Sequence, residues 1–379
     1  MSAQKFIKKK AKTGEKKLKP KPIQAKVEAR PEKKEEAIPI PAAKLKICII
    51  GPGAIGGLIA AYLKAKMRKI TAVGKTEQMR IIRSNGLKIE GARGTVYVEL
   101  DIRVKMKEKA DLVILAVKTQ DIAGVIAENR AFLEDALILT IQNGVRADQI
   151  ISLTLGKENI ISSIIMFGST YLKSGLITHN FEGDWIIGRP FGTNDDKVKE
   201  VVEELSPAFK VVLVDNITSM KWTKLFINAN NCVPALLDKS IQETFADLDM
   251  AKLSILLLKE CFAVVDDAGI QLVDLPNFEV NKFRGLTQMP LEEAAKIFSG
   301  IMINLSKEPL YGSILQSIKR DRASEIDYIN GEIIKLSRFG RVGAELNTKV
   351  VNLIHQVEKT KKFFTVEEIK DKFKLRDVK

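Results

Sequence analysis

The chain has 379 residues, of which 45% are apolar, and a formal net charge of +14 at pH 7. This length and apolar content suffice for about two domains with cores of their own, which excludes a small peptide or a disulfide-stabilised scaffold. The three cysteines, Cys48, Cys232 and Cys261, lie far apart and form no CxxC pair, so neither a zinc site nor a disulfide framework is predicted. A reducing, cytoplasmic setting fits this cysteine usage.

The first 44 residues carry most of the positive charge, because 13 lysines and Arg30 face only five glutamates, a net of +9. The same segment holds five of the 12 prolines and one aromatic residue, Phe6, a composition that predicts a disordered tail. We expect a solvated extension, and weak, non-specific contact with anions such as RNA is the alternative. No apolar run approaches the roughly 20 residues of a membrane-spanning helix, so the chain is predicted to be soluble.

From Leu45 onwards, short apolar runs alternate with longer helical ones. Four runs predict strands of a parallel sheet covered on both faces, namely LKICII, KITAVG, ADLVILAV and LEDALILTIQNG. VVEELSPAFKVVLVDN predicts one more helix and strand, and after Asn216 the apolar spacing becomes helical. The sequence therefore predicts an α/β fold: a basic tail (1–44), an N-terminal Rossmann-type parallel sheet domain (45–216) and an all-helical C-terminal domain (217–379).

The first strand leads into a glycine-rich turn and then an amphipathic helix. Of its three glycines, the first permits the tight turn, the second lets the backbone approach a pyrophosphate, and the third lets helix pack on strand. The helix that follows offers free N–H groups and the positive end of its dipole to phosphates. We therefore predict a dinucleotide-binding loop formed by Gly51, Pro52, Gly53, Ala54, Ile55 and Gly56.

The second strand ends in AVGKT, where NAD-binding proteins carry an acid that binds the ribose 2'-hydroxyl. Lys75 stands there, and a cation attracts the 2'-phosphate of NADP that an acid would repel. The sequence therefore favours NADP(H), with Lys75 as the expected partner and Arg80 as a weaker candidate. A surface lysine without this role is the alternative.

Two further predicted strands end in polar residues. In LAVKT the predicted strand finishes with Lys118, and in LTIQNGV it finishes with Gln142, Asn143 and Gly144. Ligands of open parallel sheets bind at the carboxyl ends of the strands, so we expect these residues to line the nicotinamide crevice.

The predicted helical domain begins with a polar stripe. Lys224, Asn228 and Asn231 are spaced i, i+4, i+7, which on one helix places all three on the same face. Such a stripe suits a small oxygen-rich substrate, and a solvent-exposed face is an equal alternative.

A further polar segment is SEIDYING. Ser324 followed by Asp327 matches a capping box, which predicts a helix start with Glu325 in its exposed first turn. Ser313 lies 12 residues earlier, about 18 Å along an unbroken helix. If both residues reach one substrate, the chain must break between them.

Five motifs, GPGAIG, LAVKT, QNG, KWTKLFIN and RASEIDYING, occur in an order and at separations that resemble the ketopantoate reductase family over roughly residues 45 to 360. The resemblance implies a Rossmann domain and a helical domain around a cleft. In that cleft NADPH reduces the 2-keto group of 2-dehydropantoate to pantoate, a step of pantothenate and coenzyme A synthesis. Because no Cys, His and acidic residues cluster at metal-ligand spacing, a metal-free enzyme is predicted.

The resemblance also implies roles for single residues. Lys224 resembles the catalytic lysine, whose ammonium stabilises the developing alkoxide and supplies its proton. Glu325 resembles the glutamate near the cofactor and that lysine. Lys118 resembles a cofactor contact and Asn143 a residue between cofactor and substrate. Asn228 and Ser313 resemble substrate contacts.

Some positions depart from the family pattern. Asn231 or Cys232 stands where the second asparagine is expected, Ile241 and Gln242 replace an Asn-Gly pair, and Ser317 replaces an aspartate. Another branched 2-keto acid is therefore the alternative substrate, and a non-catalytic NADP-binding protein with a nucleic-acid-binding tail is the remote alternative. The sequence does not fix the oligomeric state and is compatible with a homodimer. His179 and His355 are expected to have no catalytic role.

Overall fold

The structure is a computed structural model that describes residues 44–276 and 278–376. These residues belong to one compact unit of the chain. The predicted disordered tail lies outside the described residues apart from Lys44.

The described residues up to Leu213 form twelve strands. They are β1 (Lys46–Ile50), β2 (Lys69–Val73), β3 (Leu87–Gly91), β4 (Val96–Val98), β5 (Asp101–Arg103), β6 (Leu112–Leu115), β7 (Leu137–Thr140), β8 (Ile160–Ile165), β9 (Gly168–Lys173), β10 (Leu176–Phe181), β11 (Trp185–Gly188) and β12 (Val211–Leu213). Five helices accompany them: α1 (Ala54–Ala65), α2 (Thr76–Asn85), α3 (Ile122–Leu133), α4 (Ala147–Leu155) and α5 (Asp196–Leu205).

The main sheet has eight strands in the order β12-β11-β8-β7-β6-β1-β2-β5. Neighbouring strands pair in parallel from β8 to β5, which confirms the predicted Rossmann-type sheet. The β12 end of the sheet differs from the prediction. There β11 pairs antiparallel with β8, and β12 pairs parallel with β11, so both strands run opposite to the other six. The chain reverses there through the β9–β10 hairpin, and an antiparallel neighbour needs no helical crossover.

A second, four-stranded sheet, with the order β4-β3-β10-β9, was not expected from the sequence. Its buried Ile89 and Ile177 share an apolar core with Leu58 and Ile59 of α1. The second sheet therefore packs on α1 and fixes the helix that follows the glycine loop.

Among the described residues after β12, the chain forms ten α-helices: α6 (Ile217–Ala229), α7 (Cys232–Leu237), α8 (Ile241–Phe245), α9 (Leu248–Asp267), α10 (Val280–Gln288), α11 (Leu291–Ile303), α12 (Ser313–Lys319), α13 (Asn330–Ser337), α14 (Glu345–Thr360) and α15 (Val366–Phe373). They enclose one apolar core around the long helix α9. The predicted change to a helical C-terminal part is confirmed. In the part of the chain that the structure describes, no helix has the length and apolarity to span a membrane.

Candidate active site

The glycine loop has the geometry that its spacing predicts. Gly51 has a φ of +94°, and a Cβ there would lie 2.7 Å from the backbone nitrogen of Val117. A Cβ on Gly56 would lie 2.6 Å from the Cβ of Ala116. At Gly53 a Cβ would have no neighbour closer than the Gly51 carbonyl oxygen at 4.0 Å. The first and third glycines are therefore required by close packing, whereas the second faces open space where a ligand fits.

Two side chains that the sequence did not reveal brace this loop. Gln78, in the first turn of α2, donates hydrogen bonds to the carbonyl oxygen of Pro52 and to the Tyr171 hydroxyl, the latter at 3.1 Å. Tyr171 is buried and comes from β9. No local pattern signals this contact, because the three residues are far apart in sequence.

Lys75 directly precedes α2, at the end of the loop after β2. Its side chain is exposed and makes no ion pair with any residue that the structure describes. Arg80 is exposed on the same helix. Both cations are therefore accessible beside the carboxyl end of β2.

Lys118 follows β6 and reaches into the helical half. Its Nζ donates to Ser317 Oγ at 2.5 Å and to the carbonyl oxygen of Ala323. Burial lowers the pKa of Lys118 to about 8, and the nearby Glu325 carboxylate opposes that shift. Ser317, which replaces the family's aspartate, is thus a hydrogen-bond partner of this lysine.

Glu325 belongs to the helical half and contacts residues that follow strands β6 and β7 of the main sheet. Its Oε1 accepts hydrogen bonds from Thr119 N at 3.1 Å and Thr119 Oγ1 at 3.0 Å, and its carboxylate also accepts one from the Asn143 side chain. Burial raises the pKa of Glu325, and these donors oppose the rise.

The prediction of a capping box with Glu325 in an exposed first turn is wrong. The residues after it form a short 3-10 helix, Ile326–Tyr328, and Ser324 Oγ accepts only from Ile326 N, at 3.3 Å. Ser324 N donates to the Glu358 carboxylate at 2.7 Å, so tertiary contacts fix this segment instead of a local cap. The predicted break between Ser313 and Glu325 is confirmed, because α12 ends at Lys319.

Asn143 links the two halves of the molecule. Its Oδ1 accepts a hydrogen bond from Asn228 Nδ2 of α6 at 3.0 Å, while its side chain also binds Glu325. Gly144 has a φ of +79°, and a Cβ there would overlap the Tyr328 carbonyl oxygen. Gln142 instead turns inward and donates to the backbone carbonyls that end β6. Of this motif, the asparagine therefore faces the cleft, and the glutamine holds the strand ends together.

Lys224 lies one helical turn before Asn228 on α6, so the two side chains share a face. It is partly buried, and burial lowers its pKa to about 8. Within the described ranges it has no hydrogen bond or ion pair. The resemblance implies a glutamate near this lysine, but among the described residues Lys224 makes no direct contact with Glu325; Glu325 and Asn228 both contact Asn143 instead.

Asn231 does not continue the stripe of Lys224 and Asn228. Helix α6 ends at Ala229 and Asn231 precedes α7, so the prediction of one helix carrying all three residues is wrong. Asn231 instead packs on Gly312, where an added Cβ would lie 3.1 Å from the Cβ of Asn231. Gly312 directly precedes the exposed Ser313 of α12. The structure therefore brings Asn231 next to Ser313.

The other residues that depart from the family pattern, Cys232, Ile241 and Gln242, make contacts that stabilise the fold. Cys232 is fully buried, donates to the Ala229 carbonyl oxygen at 3.0 Å, and burial raises its pKa to about 12. Gln242 donates to the carbonyl oxygens of Ser306 and Glu308 and so supports the loop that leads into α12. Ile241 N donates to the Leu310 carbonyl oxygen at 2.8 Å.

A buried ion pair anchors α6 to the sheet. Lys221 Nζ lies 3.0 Å from Asp148 Oδ2 and 3.1 Å from Ser162 Oγ. Asp148 also accepts from Ser162 Oγ at 2.7 Å and from Thr140 Oγ1 at 2.6 Å. Lys221 therefore faces the sheet and does not lie beside Lys224. Its position three residues before Lys224 on α6 was the only sequence feature that pointed to it.

The histidines take up structural contacts. His179 is buried and its Nδ1 lies 2.9 Å from the Tyr62 hydroxyl, while His355 lies between Asp327 and Glu358. Among the described residues, no three His, Cys, Asp or Glu side chains group in a way that could hold a metal ion.

Comparison with known proteins adds to this geometry. Two family models match, Ketopantoate reductase PanE/ApbA over residues 47–190 and Ketopantoate reductase PanE/ApbA C terminal over residues 216–358. The 2-dehydropantoate 2-reductase of Pyrococcus abyssi (strain GE5 / Orsay) is 30% identical over 317 residues, which cover 82% of this chain and 97% of that relative.

Solved structures share the fold. D-mandelate dehydrogenase in ternary complex with NADH and anilino(oxo)acetate has a TM-score of 0.72 at 21% sequence identity. The match covers 83% of this chain and 98% of the dehydrogenase chain. A PanE/ApbA family ketopantoate reductase from Ralstonia eutropha JMP134 has a TM-score of 0.68 at 21% identity, with the same coverage of both chains.

These matches, together with the glycine loop, define an NAD(P)-dependent oxidoreductase. Both halves of the chain match the family models, and the Pyrococcus abyssi relative matches over almost its whole length. The chain therefore belongs to the ketopantoate reductase family, which confirms the resemblance of its motifs.

Proposed function

We propose that the protein uses NADPH to reduce the 2-keto group of 2-dehydropantoate to pantoate, with Lys224 as the proton donor. The observation that carries this proposal is an unpartnered lysine beside a chain of polar contacts. Lys224 precedes Asn228 by one turn, and Asn228 is bonded to Asn143, which is in turn bonded to Glu325. This chain lies where the ends of two parallel strands meet the helical half.

The residues of the loop fit a dinucleotide. The open space at Gly53 leaves room for a pyrophosphate, and the start of α1 offers N–H groups to it. We assign cofactor contacts to Gly51, Pro52, Gly53, Ala54, Ile55, Gly56, Lys118, Asn143 and Glu325. When bound, the cofactor supplies the hydride. We assign recognition of the 2'-phosphate to Lys75 because its exposed ammonium has no competing partner.

The chain's own residues supply the rest of the chemistry. The Lys224 ammonium, in a poorly solvated setting, faces the keto oxygen, stabilises the negative charge that develops there and donates its proton. Its pKa near 8 makes that donation easier than from an ordinary lysine. Asn228, Asn231 and Ser313 orient the substrate's oxygen atoms, and Glu325 with Asn143 holds the strand ends in register with α6.

This assignment also divides the chain by task. We propose that residues 45–216 carry most of the cofactor contacts, and that residues 217–379 carry the proton donor, most substrate contacts and the cofactor contact of Glu325. The strands end at Leu213 and α6 begins at Ile217, which supports a division near 216.

A second candidate substrate is another branched 2-keto acid. Ser317 in place of an acid leaves Lys118 without a carboxylate from α12, which changes the charge at the edge of the cleft. The structural likeness to a D-mandelate dehydrogenase also supports a comparison with aryl-substituted substrates.

Steady-state rates with NADPH and a panel of 2-keto acids test the proposal. We expect the largest kcat/KM for 2-dehydropantoate over straight-chain, other branched and phenyl-substituted 2-keto acids. A higher kcat/KM for another branched acid would replace the substrate but keep the reaction. Binding of NADPH without reduction of any of these acids would contradict the proposed chemistry.

A further inference from the structure

A group of cations lies where α12 ends, next to the side chains that brace the glycine loop. Arg320 follows the last residue of α12, and its guanidinium carbon lies 5.9 Å from the centroid of the Tyr171 ring. Its Nε donates to the Gln316 carbonyl oxygen at 3.1 Å, within its own helix. Its two terminal nitrogens bind no residue that the structure describes. Arg320 therefore presents a free pair of donors.

The position of Arg320 relates it to the cofactor loop. Tyr171 accepts a hydrogen bond from Gln78, and Gln78 also donates to the Pro52 carbonyl oxygen within the loop itself. Because Tyr171 is buried, it forms a fixed surface for the guanidinium. Arg320 belongs to the helical half. The Tyr171 side chain lies between it and Gln78, the residue that binds the Pro52 carbonyl oxygen.

The charges around Arg320 leave it without compensation. Burial and the neighbouring Arg322 lower the pKa of Arg320, and both arginines act on Lys118, which is hydrogen-bonded to the same segment. The acid next to it in sequence, Asp321, pairs with Lys361 at 2.5 Å. Glu325 is held by Thr119 and Asn143. Lys118, Arg320 and Arg322 therefore lie near one another; the acids Glu325 and Asp121 act on Lys118, whereas no acid of the described residues acts on Arg320, an arrangement that favours an anionic ligand at Arg320.

We propose that Arg320 is a phosphate-binding residue that the helical half contributes to the dinucleotide site. A guanidinium can hold two phosphate oxygens at once, which matches its two unpaired terminal nitrogens. This inference rests on the proposed use of a nicotinamide dinucleotide. It adds a phosphate contact from the end of α12 to those of the glycine loop and to the cofactor contact already assigned to Glu325 of the helical half.

Titration of the purified full-length protein with NADPH and with NADH, followed by cofactor fluorescence, tests this inference. We expect Arg320→Ala to raise the Kd of NADPH by roughly tenfold or more, with a smaller rise at high salt. Arg320→Met, which keeps an apolar side chain on Tyr171, should lose as much, and Arg320→Lys should lose less. Arg338→Ala removes an exposed arginine of the same half that forms no ion pair within the described part of the chain, and it should leave the Kd unchanged.

The two cofactors identify the phosphate. An equal loss for NADPH and NADH indicates the pyrophosphate, whereas a loss confined to NADPH indicates the 2'-phosphate, and both outcomes support the inference. It is overturned if Arg320→Ala and Arg320→Met bind both cofactors within twofold of the parent. It is also overturned if only the KM of the 2-keto acid rises.

The same titration separates this inference from the proposed function. If the parent protein binds neither cofactor, the proposed cofactor use is wrong and Arg320 has no such role. If the parent binds and reduces its substrate while the Arg320 variants bind equally well, only the role of Arg320 is wrong.

Discussion

The two sides of the cleft are built in different ways. The cofactor side has one continuous stretch at its centre, residues 51–56, whose shape depends on backbone conformation and on the absence of side chains at Gly51 and Gly56. The proposed catalytic side is assembled from side chains far apart in sequence, Asn143, Asn228 and Glu325, joined by hydrogen bonds, and two of these, Asn143 and Glu325, are also proposed to contact the cofactor. The difference teaches that the cofactor side is defined locally, whereas the catalytic side exists only once the two halves have packed.

The largest expected effect is on turnover, and it should leave cofactor binding nearly unchanged. Lys224→Ala removes the proposed acid and the charge that faces the keto oxygen, and general acid catalysis is worth roughly 10²- to 10⁴-fold. We expect kcat for reduction to fall by that factor while the Kd of NADPH stays within a fewfold of the parent value. Single-turnover kinetics and cofactor titration measure the two quantities.

A matched control for this variant is Lys296→Ala, which removes an exposed lysine of the helical half that forms no ion pair with any described residue. It should leave both quantities unchanged. Retention of near-parental turnover by Lys224→Ala would show that the proton comes from another group.

The packing between the halves depends on the Lys221–Asp148 ion pair. Both side chains are buried, and removal of one partner of such a pair typically costs about 3–5 kcal/mol because the other charge is left uncompensated. We expect Lys221→Met to lower the free energy of unfolding by that amount, measured by urea denaturation.

The double variant Lys221→Met/Asp148→Leu should recover part of this loss, since it leaves no buried charge. Equal stability of the parent and the single variant would show that α6 does not depend on this pair. Loss of turnover at full stability would instead place Lys221 in the chemistry.

The pH dependence of the reduction tests whether Lys224, on the helical side, is the proton donor. With a pKa near 8, Lys224 loses its proton as the pH rises through 8, so a proton donor becomes progressively unavailable. We expect kcat/KM for reduction to fall about tenfold per pH unit above that value. Lys118 has a similar pKa, so Lys118→Gln at saturating NADPH serves as the control and should keep the same alkaline fall. A flat profile to pH 10 in both proteins would contradict the role of Lys224.

The smallest effect concerns cofactor choice at the rim of the glycine loop. Lys75 is exposed, so its contact with a 2'-phosphate is partly screened, and Lys75→Asp should reduce the preference for NADPH over NADH by roughly tenfold. Lys64→Asp makes the same charge change on exposed α1 surface and should not alter the preference. Equal kcat/KM with both cofactors in the parent protein would speak against any role of Lys75.

The two sides also differ in how far the sequence predicts them. The glycine loop follows from adjacent residues, and its shape matches the prediction because strand, turn and helix are local. The sequence predicts Asn231 on the same helix as Lys224 and Asn228 because the i, i+4, i+7 spacing extends to it. In the structure α6 ends at Ala229 and α7 begins at Cys232, so Asn231 lies between the two helices. Glu325 was expected in an exposed helical turn because Ser324 and Asp327 fit a local cap. Contacts of those two residues with Glu358 and His355 decide the conformation instead.

Parts of the fold were beyond sequence patterns for a similar reason. The strands of the second sheet are as short as three residues, Val96–Val98, and become strands by pairing with distant partners. The reversed strand β11, next to the edge strand β12, is as apolar as the parallel strands of the sheet, so its direction cannot be read from composition. Gln78 and Tyr171 illustrate the same limit at the site, since only the folded chain brings them to Pro52.

The crowding at Gly144 bears on how this enzyme could be given a new substrate. Any side chain at that position would collide with the Tyr328 carbonyl oxygen, and Gly312 leaves almost no room beside Asn231. A directed-evolution library that randomises these two glycines would consist mostly of misfolded members. Ser313 is exposed and faces no such collision. Diversity placed there would explore substrate shape while the hydrogen-bonded junction between the halves stays intact.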